Sequence, residues 1–155
     1  MYITIDDALR TRIKREAHDY NPSTSITGGR RKEIAKAGEI VVETYLRGKL
    51  INDYNFDVLS QSGCTIEVKT EQTGSEPRDN HNMMVCAKNS TQKCDAYLFV
   101  YVDYKMTGAY LIGWICKPDF DRIKKFRKKG EIQFNGFEFK EDCYTVSVNQ
   151  LTKCT

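Results

Sequence analysis

The stretch Asn55-Phe56-Asp57-Val58-Leu59-Ser60-Gln61-Ser62-Gly63-Cys64-Thr65-Ile66-Glu67-Val68-Lys69-Thr70 decides how this chain reads. Its polar and apolar residues alternate, which predicts two adjacent short strands, Phe56–Ser60 and Thr65–Thr70, joined through Ser62-Gly63. Successive side chains of a strand point to opposite faces, so Glu67 and Lys69 share one face while Val68 takes the other. Asp57 lies ten residues before Glu67 on the neighbouring strand, close enough for the two carboxylates to meet. Carboxylates side by side repel unless a cation sits between them, so this pairing suits a divalent metal.

An acid-x-lysine tripeptide is weak on its own. With 21 acidic residues in a chain of 155, about two such tripeptides are expected by chance. Three occur: Glu67-Val68-Lys69, Asp103-Tyr104-Lys105 and Glu138-Phe139-Lys140. The last falls in an Asn-Gly hairpin signal, Gln133 to Glu138, where alternating polar residues form the wet side of a ribbon. The second ends a long apolar strand and enters a turn. It has an acid upstream, Asp95, but no second short strand to bring the two together. Context therefore selects Glu67 and Lys69, with Asp57.

Working outward, Ile5 to about Tyr20 predicts a polar helix stopped by Asn21-Pro22. Arg31 to Arg47 predicts a second helix whose apolar face is Ile34, Ala37, Val41, Tyr45 and Leu46, with Gly48 at its C-terminal cap. A polar loop is expected from Glu71 to His81 and a strand from Met83 to Ala87. Ala96–Val102 is an almost unbroken apolar run, as a strand covered on both faces requires. Met106-Thr107-Gly108 turns it into Ala109–Ile115. Pro118 opens a short basic helix, and Tyr144–Val148 reads as a last strand. This order predicts one α/β domain spanning 1–155, a central mixed β-sheet flanked by α-helices.

Composition sets the remaining bounds. Apolar residues make up 40% and charged residues 29% of the chain, the balance of a globular protein. No apolar run approaches the roughly 18 residues of a membrane span, and the N-terminus lacks a signal-peptide pattern. A cytoplasmic protein is the expectation. Six cysteines (Cys64, Cys86, Cys94, Cys116, Cys143 and Cys154) show no C-x-x-C spacing, so reduced thiols are expected rather than a disulfide framework or metal site. Net charge is only +3, but basic residues cluster at Arg30-Arg31-Lys32 and between Lys117 and Glu131. Such patches can bind phosphates, but a charge run is more often a solvated helix face. His18 and His81 read as surface or structural residues, and Tyr97, Phe99 and Tyr101 as core rather than a base-stacking platform.

The segment Ala37-Gly38-Glu39-Ile40-Val41-Val42-Glu43-Thr44-Tyr45-Leu46, then Phe56-Asp57, then Ile66-Glu67-Val68-Lys69-Thr70 resembles the PD-(D/E)XK nuclease superfamily, in particular small phage, archaeal and bacterial nucleases and Holliday-junction resolvases. The likeness covers about residues 31 to 103; Phe56 stands where the family motif has Pro. The resemblance implies a restriction-endonuclease-like fold and a metal-dependent nuclease acting on DNA. An endonuclease on branched or structured DNA is the first expectation. The alternatives are an exonuclease or RNA-directed nuclease with the same site, or an inactive nucleic-acid-binding module.

The resemblance also assigns roles. Asp57, Glu67 and the Val68 carbonyl would ligate Mg²⁺ or Mn²⁺, and Glu39, preferred over Glu43, would be the additional acid. Lys69 would orient or help deprotonate the attacking water. Arg30, Arg31 and Lys32 would contact the DNA backbone, Gln92 would lie near the active site, and a homodimer is expected by analogy. Hard oxygen ligands suit Mg²⁺, which both activates water and offsets phosphate charge.

Overall fold

The computed structural model describes residues 1–19, 32–51, 53–133 and 136–155. In chain order the elements are β1 (Tyr2–Thr4), α1 (Asp7–Asp19), α2 (Lys32–Leu46), β2 (Lys49–Leu50), β3 (Val58–Leu59), β4 (Thr65–Thr73), β5 (Asn82–Cys86), β6 (Ala96–Asp103), β7 (Gly108–Cys116), α3 (Lys117–Ile123), β8 (Lys125–Arg127) and β9 (Cys143–Ser147). They form a mixed α/β structure with two sheets. The larger has six strands in the order β1-β7-β6-β4-β3-β2, and the smaller runs β5-β9-β8.

The apolar run at β6 occupies the middle of the large sheet, as its composition requires. From Ala96 to Val102 every residue is buried. Alternation along β6 feeds two separate cores. Ala96, Leu98, Val100 and Val102 pack with Ile66, Val68 and the α2 residues Ile34, Ala37, Ile40 and Val41. Tyr97, Phe99 and Tyr101 face the other way, against Met83, Val85, Phe120, Val146 and Val148. Burying each such side chain contributes about 1.5–3 kcal/mol, so these two layers hold the sheet from both sides.

β4 and β6 are the parallel pair of the sheet, with Glu67 opposite Tyr97 and Lys69 opposite Phe99; the neighbouring pairs β3–β4 and β6–β7 are antiparallel. A parallel pair needs a long crossover. Here residues 74–95 supply it, and they carry β5 across to the second sheet with only a short 3₁₀ turn, Ala87–Asn89, in place of an α-helix. The large sheet is therefore flanked by α1 and α2 on one face, but by the small sheet and α3 on the other. The expected mixed sheet flanked by helices is present, with a second, smaller sheet that the sequence does not announce.

Several other expectations need correction. The polar loop from Glu71 begins later, because β4 runs on to Thr73 and pairs Glu71 with Tyr101. An unanticipated edge strand, β1, pairs with β7 before α1 begins. The basic segment after Pro118 is helical only to Ile123; Lys125–Arg127 is a strand on β9. The two arms of the Asn-Gly hairpin pair through a bridge between Ile132 and Glu138 and through the Gln133 and Phe139 amides, which donate to the Phe137 and Glu131 carbonyls, while Phe134 and Asn135 lie outside the described residues. At the end of α2 it is Arg47, not Gly48, that takes the left-handed conformation (φ 48°). Gly48 instead donates its amide to the Glu43 carbonyl and lies so near β3 that an added Cβ would stand 2.6 Å from the Leu59 carbonyl oxygen. A close approach, not a positive φ, requires glycine there.

A close contact sets α2 against β4 of the β3–β4 hairpin. A Cβ at Gly38 would fall 1.9 Å from Thr70 Oγ1, so the missing side chain lets the helix lie directly on β4. The next residue, Glu39, is thereby carried to the start of the β3–β4 hairpin. Among the described residues no helix is long and apolar enough to cross a membrane, and all six cysteines are free thiols.

Candidate active site

The predicted hairpin forms, but its first strand is only Val58–Leu59 rather than Phe56–Ser60, so Asp57 stands just before the strand and not on it. Gly63 takes φ 84° at the turn, and the Asp57 amide donates to the Ile66 carbonyl at 3.0 Å. Asp57 is thus fixed at the mouth of the hairpin, beside β4. Its carboxylate accepts a hydrogen bond from the Val68 amide at 2.8 Å. On the strand itself the Lys69 ammonium donates to Glu67 Oε1 at 2.7 Å, so Glu67 and Lys69 share one face, while Val68 packs into the α2 side of the core.

Gln92 closes this arrangement. It is buried, and its amide nitrogen donates to Glu67 Oε1 at 2.9 Å and to the Tyr54 carbonyl at 2.6 Å. Its carbonyl oxygen accepts from Lys69 at 3.2 Å. One amide therefore holds both members of the Glu67–Lys69 pair and ties them to the segment before Asp57. The β4–β6 register delivers it: Asp95 at the start of β6 accepts from the Thr65 amide and hydroxyl at 2.8 and 2.7 Å, which pins the loop bearing Gln92 to β4. Gln92 lies beside the acids as expected, but its donor and acceptor are turned to Glu67, Lys69 and Tyr54.

The third acid, Glu39, is buried on α2 and forms an ion pair with the equally buried Lys36 one turn earlier. Lys36 was not singled out from the sequence. Its signal is the i,i+3 spacing to Glu39, which a helix full of charged residues does not make distinctive. Glu43, the other acid on this helix, is committed elsewhere: it bridges to Arg12 of α1 at 2.7 Å.

The electrostatics follow from crowding acids in a poorly solvated place. Although Asp57 as a whole is only half-buried, desolvation of its carboxyl group raises its pKa well above the ordinary value. The negative charges of Glu67 and Glu39 push further in that direction, against the Val68 amide and Lys69. Burial also raises the Glu39 pKa, a rise that Lys36 opposes and Glu67 reinforces. The cluster thus sets three carboxyl groups against two lysines, Lys36 and Lys69.

One oxygen stands out. Glu67 Oε2 is buried with no hydrogen-bond partner, although Oε1 accepts from both Lys69 and Gln92. A buried carboxylate oxygen without a donor is strongly unfavourable unless something positive meets it. Among the described residues no set of three or more His, Cys, Asp or Glu side chains stands together as a metal cage. The donor set nonetheless fits Mg²⁺, which characteristically binds through one or two carboxylates and completes its shell with water and substrate phosphate. Asp57 and Glu67 would be those two carboxylates, while Glu39 is paired with Lys36.

The rival tripeptides serve other ends. Asp103 accepts from the Lys105 amide at 2.8 Å and from the Thr107 amide and hydroxyl at 3.1 and 2.8 Å, organising the β6–β7 turn. Glu138 and Lys140 pair with each other on the surface. Of the patch expected to meet DNA, Lys32 begins α2, while Arg30 and Arg31 lie outside the described residues. In the second basic cluster, Lys117 and Lys124 pair with Asp121, Arg122 with Asp119 and Arg127 with Glu131, so much of its charge is internally neutralised. No family model matches the chain, and no curated protein is significantly similar to it.

Proposed function

We propose that this chain is a metal-dependent nuclease of restriction-endonuclease-like fold that hydrolyses phosphodiester bonds in DNA, with branched or otherwise structured DNA as its substrate. The observation that carries the reading is the buried, unpartnered Oε2 of Glu67, set beside a half-buried Asp57 and a lysine on the same strand face. The order of a Gly-Glu helix followed by an acid-bearing hairpin supports it.

In this reading Asp57, Glu67 and the Val68 carbonyl hold Mg²⁺ or Mn²⁺. The ion, when bound, supplies a Lewis acid for the scissile phosphate and lowers the pKa of its water. The chain's own residues do the rest. Lys69 places a fixed positive charge where a pentavalent phosphorus would develop negative charge, in a site too dry for solvent to screen it. Gln92 keeps that ammonium and Glu67 in register, so little reorganisation is needed during reaction. Lys36, paired with Glu39, opposes the rise that burial gives the Glu39 pKa, and the ionised carboxylate can orient water by accepting a hydrogen bond. Lys32, at the start of the same helix, is available to the phosphate backbone.

A second reading, a silent nucleic-acid-binding module of the same fold, draws on the Lys36–Glu39 pair, which already neutralises the third acid. A cleavage panel separates the two: linear, circular, single-stranded and four-way-junction DNA, with RNA alongside, in Mg²⁺ and in EDTA. Mg²⁺-dependent cutting of DNA is expected. Binding without cutting of any substrate would favour the silent module.

A further inference from the structure

Further along the face of β4 that carries Glu67 and Lys69 lies Glu71, opposite Tyr101 of β6. It opens a cavity of about 160 Å³ whose wall also includes His81, Asn82, Tyr101, Gln133 and Phe137. This is well below the roughly 300 Å³ of pockets that take drug-sized ligands, and suits one planar ring system. We infer that this cavity is a pocket for a single unpaired nucleobase of the DNA substrate, displaced from the stack close to the scissile phosphate. The inference rests on the nuclease reading above and names the structural feature of the substrate.

The lining chemistry points to a base. The Asn82 amide donates to the Gln133 carbonyl at 3.2 Å, so the joined pair leaves Asn82 Oδ1 as acceptor and Gln133 Nε2 as donor. Turning both amides over exchanges the roles but again leaves one donor and one acceptor. Such an edge complements the adjacent donor and acceptor of a Watson–Crick edge, which is accessible only when the base is unpaired.

The aromatic walls supply the stacking that sequence-tolerant base binding uses. The His81 and Tyr101 rings stand 6.2 Å apart at 46°. His81 Nδ1 accepts from the Arg78 amide at 3.4 Å, which fixes that ring and leaves its Nε2 as a donor. Phe137 is 41% exposed and is braced edge-on by buried Phe139, with ring centroids 5.3 Å apart at 89°. Distance agrees as well. Two residues along a strand advance about 7 Å, so Glu71 follows Lys69 by roughly two stacked nucleotide steps of about 3.4 Å.

The test uses the full chain in EDTA, where binding is read without cleavage. The probe is a DNA duplex carrying one unpaired 2-aminopurine in a bulge, compared with the same duplex fully paired. The wild type should bind the bulged probe more tightly and quench its fluorescence. Asn82→Ala with Gln133→Ala should lower that preference on the order of tenfold, and Phe137→Ala should remove most of the quenching. Lys140→Ala, outside the pocket, is the control. An unquenched probe, or equal preference and quenching in the pocket variants, overturns the inference. If the nuclease reading alone fails, pocket-dependent quenching persists while no substrate is cut. If only the pocket fails, Asp57-dependent cutting persists without it.

Discussion

Lys69→Ala is the substitution whose two consequences the structure separates. Lys69 and Glu67 side chains retain only 15% and 7% of their exposure, so the pair is largely buried. Removing one member of a buried pair typically costs about 3–5 kcal/mol, because the other charge is left uncompensated. Gln92 still donates to Glu67 Oε1 at 2.9 Å, which places the expected loss near the lower end, about 3 kcal/mol. In a domain of this size that lowers Tm by about 6–12 °C. Losing the ammonium from the transition state should independently reduce cleavage about 10²-fold or more. Replacing both partners, Glu67→Gln with Lys69→Met, removes the charges together and should recover most of the stability while remaining inactive. Thermal melts and single-turnover cleavage on the same preparations read both effects. A Lys69→Ala protein as stable as wild type would refute the buried-pair reasoning, and one cutting within a few-fold of wild type would remove Lys69 from the chemistry.

Three further outcomes are expected. In metal-free protein the raised Asp57 pKa means the folded state holds its proton more tightly than the unfolded chain; its contribution to stability is therefore present below the unfolded carboxylate pKa of about 4 and is lost as pH rises through the folded value. Asp57→Asn should abolish that component, so the melting difference between variant and wild type should grow with pH and shrink when Mg²⁺ is added; a pH-independent difference contradicts it. Gly38→Ala gains about 1 kcal/mol of helix propensity but drives a Cβ to 1.9 Å from Thr70 Oγ1. The clash should win, giving a net loss of about 1–2 kcal/mol that Thr70→Ala partly restores; a more stable Gly38→Ala would show that α2 does not press on β4. Lys105→Ala and Lys140→Ala should cut within a few-fold of wild type and shift stability by no more than about 0.5 kcal/mol; a large loss in either would return its tripeptide to candidacy.

What the sequence made legible is what depends on local periodicity. The face shared by Glu67 and Lys69 follows from a repeat of two, and the burial of β6 from an unbroken apolar run. The α2 helix was readable from Ile34, Ala37 and Val41, all of which are buried. The pairing of strands was not readable, because partners far apart in sequence leave no local trace. β1 has only three residues, and its register against Tyr110, Ala109 and Gly108 is decided by a strand at the other end of the chain. The same holds for β8, whose Lys-Phe-Arg composition reads as an exposed face until Thr145 and Tyr144 are placed beside it. Within the site, acids and lysine were legible because the strand itself orders them. The grip of Gln92 was not, since it reaches Glu67 across 25 positions through a crossover that carries no motif.

In the proposed site Asp57 and Glu67 would hold a divalent cation needed for DNA cleavage. Asp57→Asn probes this by keeping the side-chain shape while removing one charge. Mg²⁺-dependent cleavage of the preferred DNA should fall at least about 10²-fold, while the same protein binds that DNA at least as tightly as wild type in fluorescence anisotropy, because a negative charge near the phosphates has gone. A variant that cuts DNA at the wild-type rate contradicts the account.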